Sequence, residues 1–462
     1  MSESLIMSKI INLSLLLVTG CLAFAQAPKG LNPQIQTIVS QVSSDRIAEI
    51  QKKLESFQTR NIFSATDDPV HGVGAARDWI ANEMKSYSPK LEVSFDKHRL
   101  AKQGRAFKDV EIWNVVAVLK GTSEPEEQVL VTGHYDTIAM TYRQNADGRR
   151  ELDGPATAMA IAPGVTDDGS GTAAVMELAR VMSQFQYRKT IVFIAFAAEE
   201  YGLFGSGLYA EDAAKRHDHI EAVFNNDIIG SDVKGNGETS TRYVNVFSED
   251  PNDSPSRQAA RYLKAAAERY QPGFEVNLVF RHDRFGRGGD HSPFAADGFA
   301  AVRVTTPMEN FKNQHTATDT FANTAPKYTA LVAKANAAAV AQLALAPRAP
   351  ELRGAAPREG SAEGQGRGGA PLSRGSGYDA ALTWHNDKPE PDLAGYSVVI
   401  RKTTSPDWER EIFVGNVTKF TLENVNIDEV VIGVRAIDKD GDESLVTAFT
   451  SPKYEQKKIE TY

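Results

Sequence analysis

Residues 191–200 read I-V-F-I-A-F-A-A-E-E, eight apolar or small positions followed at once by two carboxylates. A continuous apolar run of this length, rich in Ile, Val and Phe, predicts a strand covered on both faces, as in a parallel sheet. Other strands are predicted at 93–100, 113–119, 129–133, 220–229, 243–247, 276–280 and 301–305. Between them apolar residues recur every three or four positions. That spacing predicts two helices over 32–57 with Ser44-Asp45 as the cap between them, and further helices at 75–87, 172–185, 256–270 and 328–345. Strands interleaved with helices in this way predict an α/β domain over 32–345, a mixed and mostly parallel sheet sandwiched by helices.

After residue 345 the pattern changes. Residues 346–377 are rich in Pro, Arg, Gly and Glu with almost no large apolar side chain, the composition of a flexible linker. Short alternating runs then follow at 380–384, 396–402, 411–415, 420–422, 430–437 and 445–449. They predict an all-β sandwich over 378–455.

Composition bounds the function. The 462 residues are 41% hydrophobic and 24% charged, with a formal net charge of −9 and no basic block, which argues against a nucleic-acid partner. Lys9, the apolar run at 10–18 and Ala23-Phe24-Ala25 predict a signal peptide over 1–25 and a secreted or periplasmic protein without an integral membrane span. Val18-Thr19-Gly20-Cys21 resembles a lipoprotein box, so anchoring at Cys21 is the alternative. Cys21 is the chain's one cysteine, so the folded part offers neither a disulfide nor a thiolate ligand.

The candidate chemistry lies at strand ends, where open α/β sheets place their sites. His134 and Asp136 close the run at 129–133, Glu199 and Glu200 close the run at 191–198, and Asp227 lies near the end of 220–229. Asp167 and Asp168 sit in a glycine-rich turn at a helix start, where helix capping is the simpler reading. His315 follows the strand at 301–305 by a short loop. Carboxylate oxygens mixed with imidazole suit Zn²⁺, and a shared aspartate is a common way to hold two ions.

G-H-Y-D at 133–136, D-D-G-S-G at 167–171, A-E-E-Y-G at 198–202, N-D at 226–227 and H-T-A-T-D at 315–319 together resemble the ordered motifs of the dizinc aminopeptidases akin to bacterial leucyl aminopeptidase. The resemblance runs from about residue 72 to residue 345 and implies two Zn²⁺ ions. It implies that Asp167 bridges them, that His134 and Asp227 complete one site, and that Glu200 and His315 complete the other. Glu199 matches the general base and Asp136 the carboxylate that orients His134. The peptide bond after the bridging aspartate is cis in that family. The implied activity is removal of N-terminal residues from peptides or small proteins.

Several positions depart from the family pattern. Where some relatives carry a disulfide loop, this chain has Arg281, Arg284 and Arg287. Arg284 and Arg287 are candidate substrate-carboxylate contacts, which would fit a dipeptidase or carboxypeptidase on the same fold; solvated arginines are the simpler reading. Phe285, Met308 and Phe311 are candidates for the apolar wall of the substrate pocket, with ordinary packing as the alternative. Asp290 and His291 match a segment that supports the site in relatives. A glutaminyl cyclase and a non-catalytic binding protein are the remaining alternatives, and retention of every ligand position argues against both. The C-terminal unit resembles a fibronectin type III module through Trp384, Tyr396 and the V-R-A-I-D run at 434–438 and is expected to serve attachment or substrate delivery. Its Asp438-Lys439-Asp440-Gly441-Asp442 run reads as a hairpin turn rather than a calcium loop.

Overall fold

A computed structural model describes residues 30–249, 253–282, 288–352, 372–374, 378–388 and 390–449. The predicted signal peptide and Cys21 lie outside these residues. Among the described residues no helix is long and apolar enough to cross a membrane.

The large domain is a mixed sheet of eight strands between helical layers. In chain order its elements are α1 (Pro33–Gln41), α2 (Ser44–Ser56), α3 (Gly72–Tyr87), β1 (Leu91–Leu100), β2 (Val110–Leu119), β3 (Glu124–His134), the small hairpin β4 (Tyr142–Gln144) and β5 (Arg150–Leu152), α4 (Gly154–Met159), α5 (Gly169–Met182), β6 (Lys189–Phe196), α6 (Phe204–Arg216), β7 (His219–Asn226), β8 (Tyr243–Ser248), α7 (Pro255–Tyr270), β9 (Glu275–Phe280), α8 (His291–Ala296), β10 (Ala301–Thr305) and α9 (Pro326–Leu345). The sheet order is β1-β2-β6-β3-β7-β10-β8-β9. Its centre, β6-β3-β7-β10, is parallel throughout, and antiparallel pairings flank it at β2-β6 and β10-β8. Strand β6 is buried along its whole length, as its unbroken apolar run requires. Because the four central strands run the same way, the residues that follow them emerge on one rim.

Close backbone approach fixes how α5 meets that rim. A Cβ on Gly171, in the first turn of α5, would lie 2.2 Å from the Asn226 carbonyl oxygen and 2.3 Å from Asp168 Oδ2, so only glycine lets the helix sit against the end of β7. Asp168 is the N-cap of α5. Helix α9 is buried along nearly its full length by α1, α2, α5 and α7, which makes it the spine of one helical layer.

The C-terminal unit consists of two antiparallel sheets. One orders Leu372–Arg374, Ala380–Thr383 and Lys419–Leu422; the other orders Arg410–Gly415, Leu393–Lys402, Val430–Asp438 and Thr447–Ala448. Trp384 and Tyr396 pack edge-on in its core. The strand Leu372–Arg374 falls inside the stretch expected to be linker, and Arg348 is likewise engaged, bonding Glu124 and Glu126. The unit docks at the N-terminal ends of β3 and β6, away from the rim. There Arg188 reaches Asp392 at 2.9 Å, Glu390 at 2.6 Å and Glu124 at 2.7 Å. Along α7, the Tyr262 hydroxyl donates to the Glu443 carbonyl at 2.8 Å and Arg269 pairs with the Glu443 carboxylate at 2.6 Å.

Candidate metal centre

Six side chains predicted from the sequence meet at the rim. His134 ends β3, Glu199 and Glu200 follow β6, Asp227 follows β7, Asp167 precedes α5 across a cis Asp167–Asp168 peptide, and His315 lies in the loop after β10. The Asp167 carboxylate is central. Its Oδ1 lies 3.3 Å from His134 Nε2 and its Oδ2 lies 3.1 Å from His315 Nε2. His315 Nε2 is also 3.0 Å from Glu200 Oε2, while His134 Nε2 is 3.9 Å from both Asp227 Oδ1 and Glu199 Oε2. The side chains thus form two triplets, His134 with Glu199 and Asp227, and Asp167 with Glu200 and His315, each with its ligand atoms within 4.8 Å of one another.

These triplets fit metal ions better than they fit each other. Glu200 Oε1 is buried without a hydrogen-bond partner, and His134 Nε2 meets Asp167 Oδ1 at 3.3 Å without the alignment of a hydrogen bond, a costly state that a bound cation would relieve. Imidazole nitrogens combined with carboxylate oxygens suit Zn²⁺ and similar first-row ions. The protein-only electrostatics carry the same strain. Burial alone would lower His134, but Glu199, Asp136 and Asp167 around it raise it well above the usual imidazole range. His315 is likewise raised to about 11, because Glu200 and Asp167 outweigh its burial. Burial pushes Glu199 well above the usual carboxylate range, with Asp227 and Glu200 adding to the effect. Asp167 is held well below that range, since its contacts with both histidines overcome burial.

A second tier of side chains holds the triplets in place, and most of it escaped the sequence reading. Asp168 does cap α5, as the simpler reading of that pair had it, but its carboxylate also accepts from the amides of His134 at 3.2 Å and Ile228 at 3.1 Å, so one side chain ties α5, β3 and β7 together. Asp319 accepts from the amides of Thr166 and Asp167 at 3.0 Å each. Arg303, buried on β10, sets Nε 3.0 Å from Asp227 Oδ2. Arg60, wholly buried between α2 and α3, donates to the carbonyls of Tyr135 at 2.6 Å, Pro163 at 2.6 Å, Gly164 at 2.8 Å and Leu54 at 3.2 Å. Nothing in the periodicity around Arg60 or Arg303 separates a buried guanidinium from a surface one; only the distant partners do.

Other expected positions differ in detail. Asp136 faces His134, but its carboxylate is 3.7 Å from Nδ1, and the nearer partner of that nitrogen is the Asp136 backbone oxygen at 3.1 Å. The Asp136 carboxylate instead accepts from the amides of Glu199 at 3.0 Å and Glu200 at 3.4 Å, fixing the turn that carries both glutamates. Asp290 is buried close to the centre and is pushed up to about 7 by burial, with Asp227 and Asp136 contributing. Met308 and Phe311 are exposed, and the cavity beside Asp167 is lined by neither. Met308 adopts a left-handed backbone (φ 51°) in the turn after β10, where its carbonyl accepts from the Gly235 amide. Arg284, Phe285 and Arg287 lie outside the described residues.

Comparison with known proteins places the chain in a family. Residues 114–340 match the model of "Peptidase family M28". Over 460 residues the chain is 35% identical to a protein of Pyricularia oryzae named "Probable zinc metalloprotease", covering 92% of this chain and 85% of the relative. The chain belongs to peptidase family M28. A second relative of the same description, from Leptosphaeria maculans, is 33% identical over 438 residues and covers 87% of this peptidase and 94% of its own length. In fold, this M28 peptidase is similar to the LapA aminopeptidase of Legionella pneumophila, with a TM-score of 0.51 at 19% identity over 69% of this chain and 77% of that one. It is similar also to LapB of the same organism, with a TM-score of 0.52 at 21% identity over 70% and 78%. The six rim residues are therefore the candidate zinc centre of a peptidase, and its substrates are peptides.

Proposed function

We propose that this M28 peptidase is a two-zinc aminopeptidase. The observation that carries the reading is the Asp167 carboxylate, which turns one oxygen to His134 and the other to His315, so that it stands between two ligand groups. His134 and Asp227 would hold one ion, Glu200 and His315 the other, and Asp167 both. When bound, the ions supply a water of lowered pKa and Lewis-acid polarisation of the scissile carbonyl.

The chain's own residues do the rest. Glu199 belongs by distance to the His134 triplet, yet in this reading it is the proton carrier, taking a proton from the attacking water and returning it to the leaving amine. Burial raises its proton affinity in the metal-free chain and bound cations would lower it again, opposing influences that suit a base that must also act as an acid. Asp136 keeps Glu199 and Glu200 on adjacent, differently directed positions by bonding both amides. Asp168, Asp319 and Arg60 hold the ligand loops so that turnover requires little rearrangement.

Hydrolysis of aminoacyl p-nitroanilides by the zinc-loaded chain tests this reading. Free-amine substrates are expected to be cleaved and their N-acetyl counterparts spared. Equal cleavage of both would replace it with an endopeptidase, and sparing of both anilides with cleavage of N-blocked peptides that end in a free carboxylate would replace it with a carboxypeptidase. We also read residues 1–25 as an export signal; a mature protein beginning at Gln26 when made in a secreting host would support this, and an intact N-terminus would not.

A further inference from the structure

Beside Asp167 the site opens into a cavity of about 280 Å³. It lies between the loop before α5, the residues after β7 and the loop after β10, and four acidic residues are among those that line it, Asp167, Asp232, Glu309 and Asp319. Among the described residues that line it there is neither a lysine nor an arginine. Three of the carboxylates are already engaged. Asp167 faces the two histidines, Asp319 accepts from two backbone amides, and Glu309 lies 3.4 Å from the buried Arg303. Asp232, half-buried after β7, makes no ion pair among the described residues.

We propose that this cavity receives the side chain of the substrate's N-terminal residue and selects lysine or arginine, with Asp232 as the counter-charge. The inference rests on the aminopeptidase reading above: with the scissile carbonyl at the Asp167 centre, the α-carbon of the N-terminal residue is one bond further on, and its side chain must find room next to it. The volume lies just under the roughly 300–1,000 Å³ of sites for whole small molecules, which suits a single side chain. A leucine there would cover polar walls and leave their groups without partners. A lysine or arginine keeps its methylenes against Ile228 and Val233 and brings its charge to a carboxylate that lacks one.

The test compares lysyl, arginyl and norleucyl p-nitroanilides on the zinc-loaded full chain and on Asp232→Asn, with norleucine serving as lysine without its charge. The expected result is a preference of at least about tenfold in kcat/KM for the cationic residues, expressed mainly in KM and eroded by salt. Asp232→Asn should lower the lysine-to-norleucine ratio about fivefold to tenfold. Preference for norleucine, or a ratio that Asp232→Asn leaves unmoved, overturns the proposal. Calorimetric binding of L-lysinamide against L-norleucinamide separates the two levels of argument. Asp232-dependent discrimination without cleavage of any anilide would sustain the cation subsite and sink the aminopeptidase reading, whereas equal binding of the two amides would sink the subsite itself.

Discussion

Replacing Arg60 by methionine removes the cationic clamp under the ligand loops while keeping a long, flexible side chain. Of the four carbonyls that Arg60 serves, the Leu54 and Gly164 oxygens keep backbone donors, Phe57 N at 3.4 Å and Gly169 N at 2.9 Å. The Tyr135 and Pro163 oxygens have Arg60 as their donor and would be left buried and unpaired. Each such orphan costs about 1–3 kcal/mol, or about 2–6 kcal/mol together. Part is regained, because burial disfavours the guanidinium enough to hold its pKa down to about 10 despite Asp319, Asp136 and Asp168 nearby. The expected net loss of stability is about 2–3 kcal/mol. Tyr135 follows His134 directly and Gly164 lies three residues before Asp167, so the loosened loops should also weaken zinc binding about tenfold to 100-fold. Urea unfolding of the metal-free and zinc-loaded forms, with zinc affinity from chelator competition, measures both effects. Arg60→Lys should recover the charge but not the planar fork that spans the four carbonyls, and fall between the parent and Arg60→Met. If Arg60→Met lost stability but bound zinc as tightly as the parent, Arg60 would be a fold staple with no bearing on the centre.

Three further outcomes follow from the same geometry. Glu199→Gln keeps the shape of the side chain and should retain zinc while kcat falls by about 10²–10⁴-fold, measured by metal analysis beside steady-state rates; loss of one equivalent of zinc instead would make Glu199 a ligand, as its place in the His134 triplet allows. In the metal-free protein the raised pKa of His315, about 11, means its contribution to stability is fully present below its unfolded value near 6.5 and is lost as pH rises through about 11. Zinc must displace that proton, so metal binding near pH 7 should release protons and tighten as pH rises, which calorimetry in buffers of different ionisation enthalpy would detect; binding without proton release would contradict the charge balance described here. Gly171→Ala forces a Cβ to within 2.2 Å of the Asn226 oxygen and should give a protein that unfolds earlier and holds less zinc; a variant with parental melting temperature would mean that α5 shifts away at little cost.

What the sequence made legible follows from how local each signal is. The run at 191–198 predicted β6 because a strand buried on both faces writes its burial into consecutive apolar residues. Strand β10 at Ala301–Thr305 matched its predicted bounds, although Arg303 interrupts its apolar residues. Strand β3 was expected to start at 129, yet begins at Glu124, because its first residues are polar and pair with arginines of distant segments. Helix α3 begins at Gly72 rather than 75, since Gly72 and Gly74 pack against the backbone of Ala65 and Thr66, where any Cβ would clash. Helix α6 is not among the predicted helices for a related reason: Gly202, Gly205 and Gly207 break the apolar pattern around its start, and Gly205 lets the helix approach the Ala197 carbonyl, where a Cβ would stand at 2.1 Å. The six rim residues were visible because strand ends and ordered motifs announce them. Arg60, Arg303 and the amide contacts of Asp319 were not, because what they do depends on partners tens to hundreds of residues away.

The central claim is that six separated positions form one pair of cation sites sharing Asp167. Zinc content of the purified full chain after dialysis, set beside that of Asp167→Asn, addresses it most directly. Two zinc ions per chain are expected for the parent, with weakened retention of both in the variant. A parent chain that saturates with one ion, or an Asp167→Asn chain that keeps two as tightly as the parent, would contradict it.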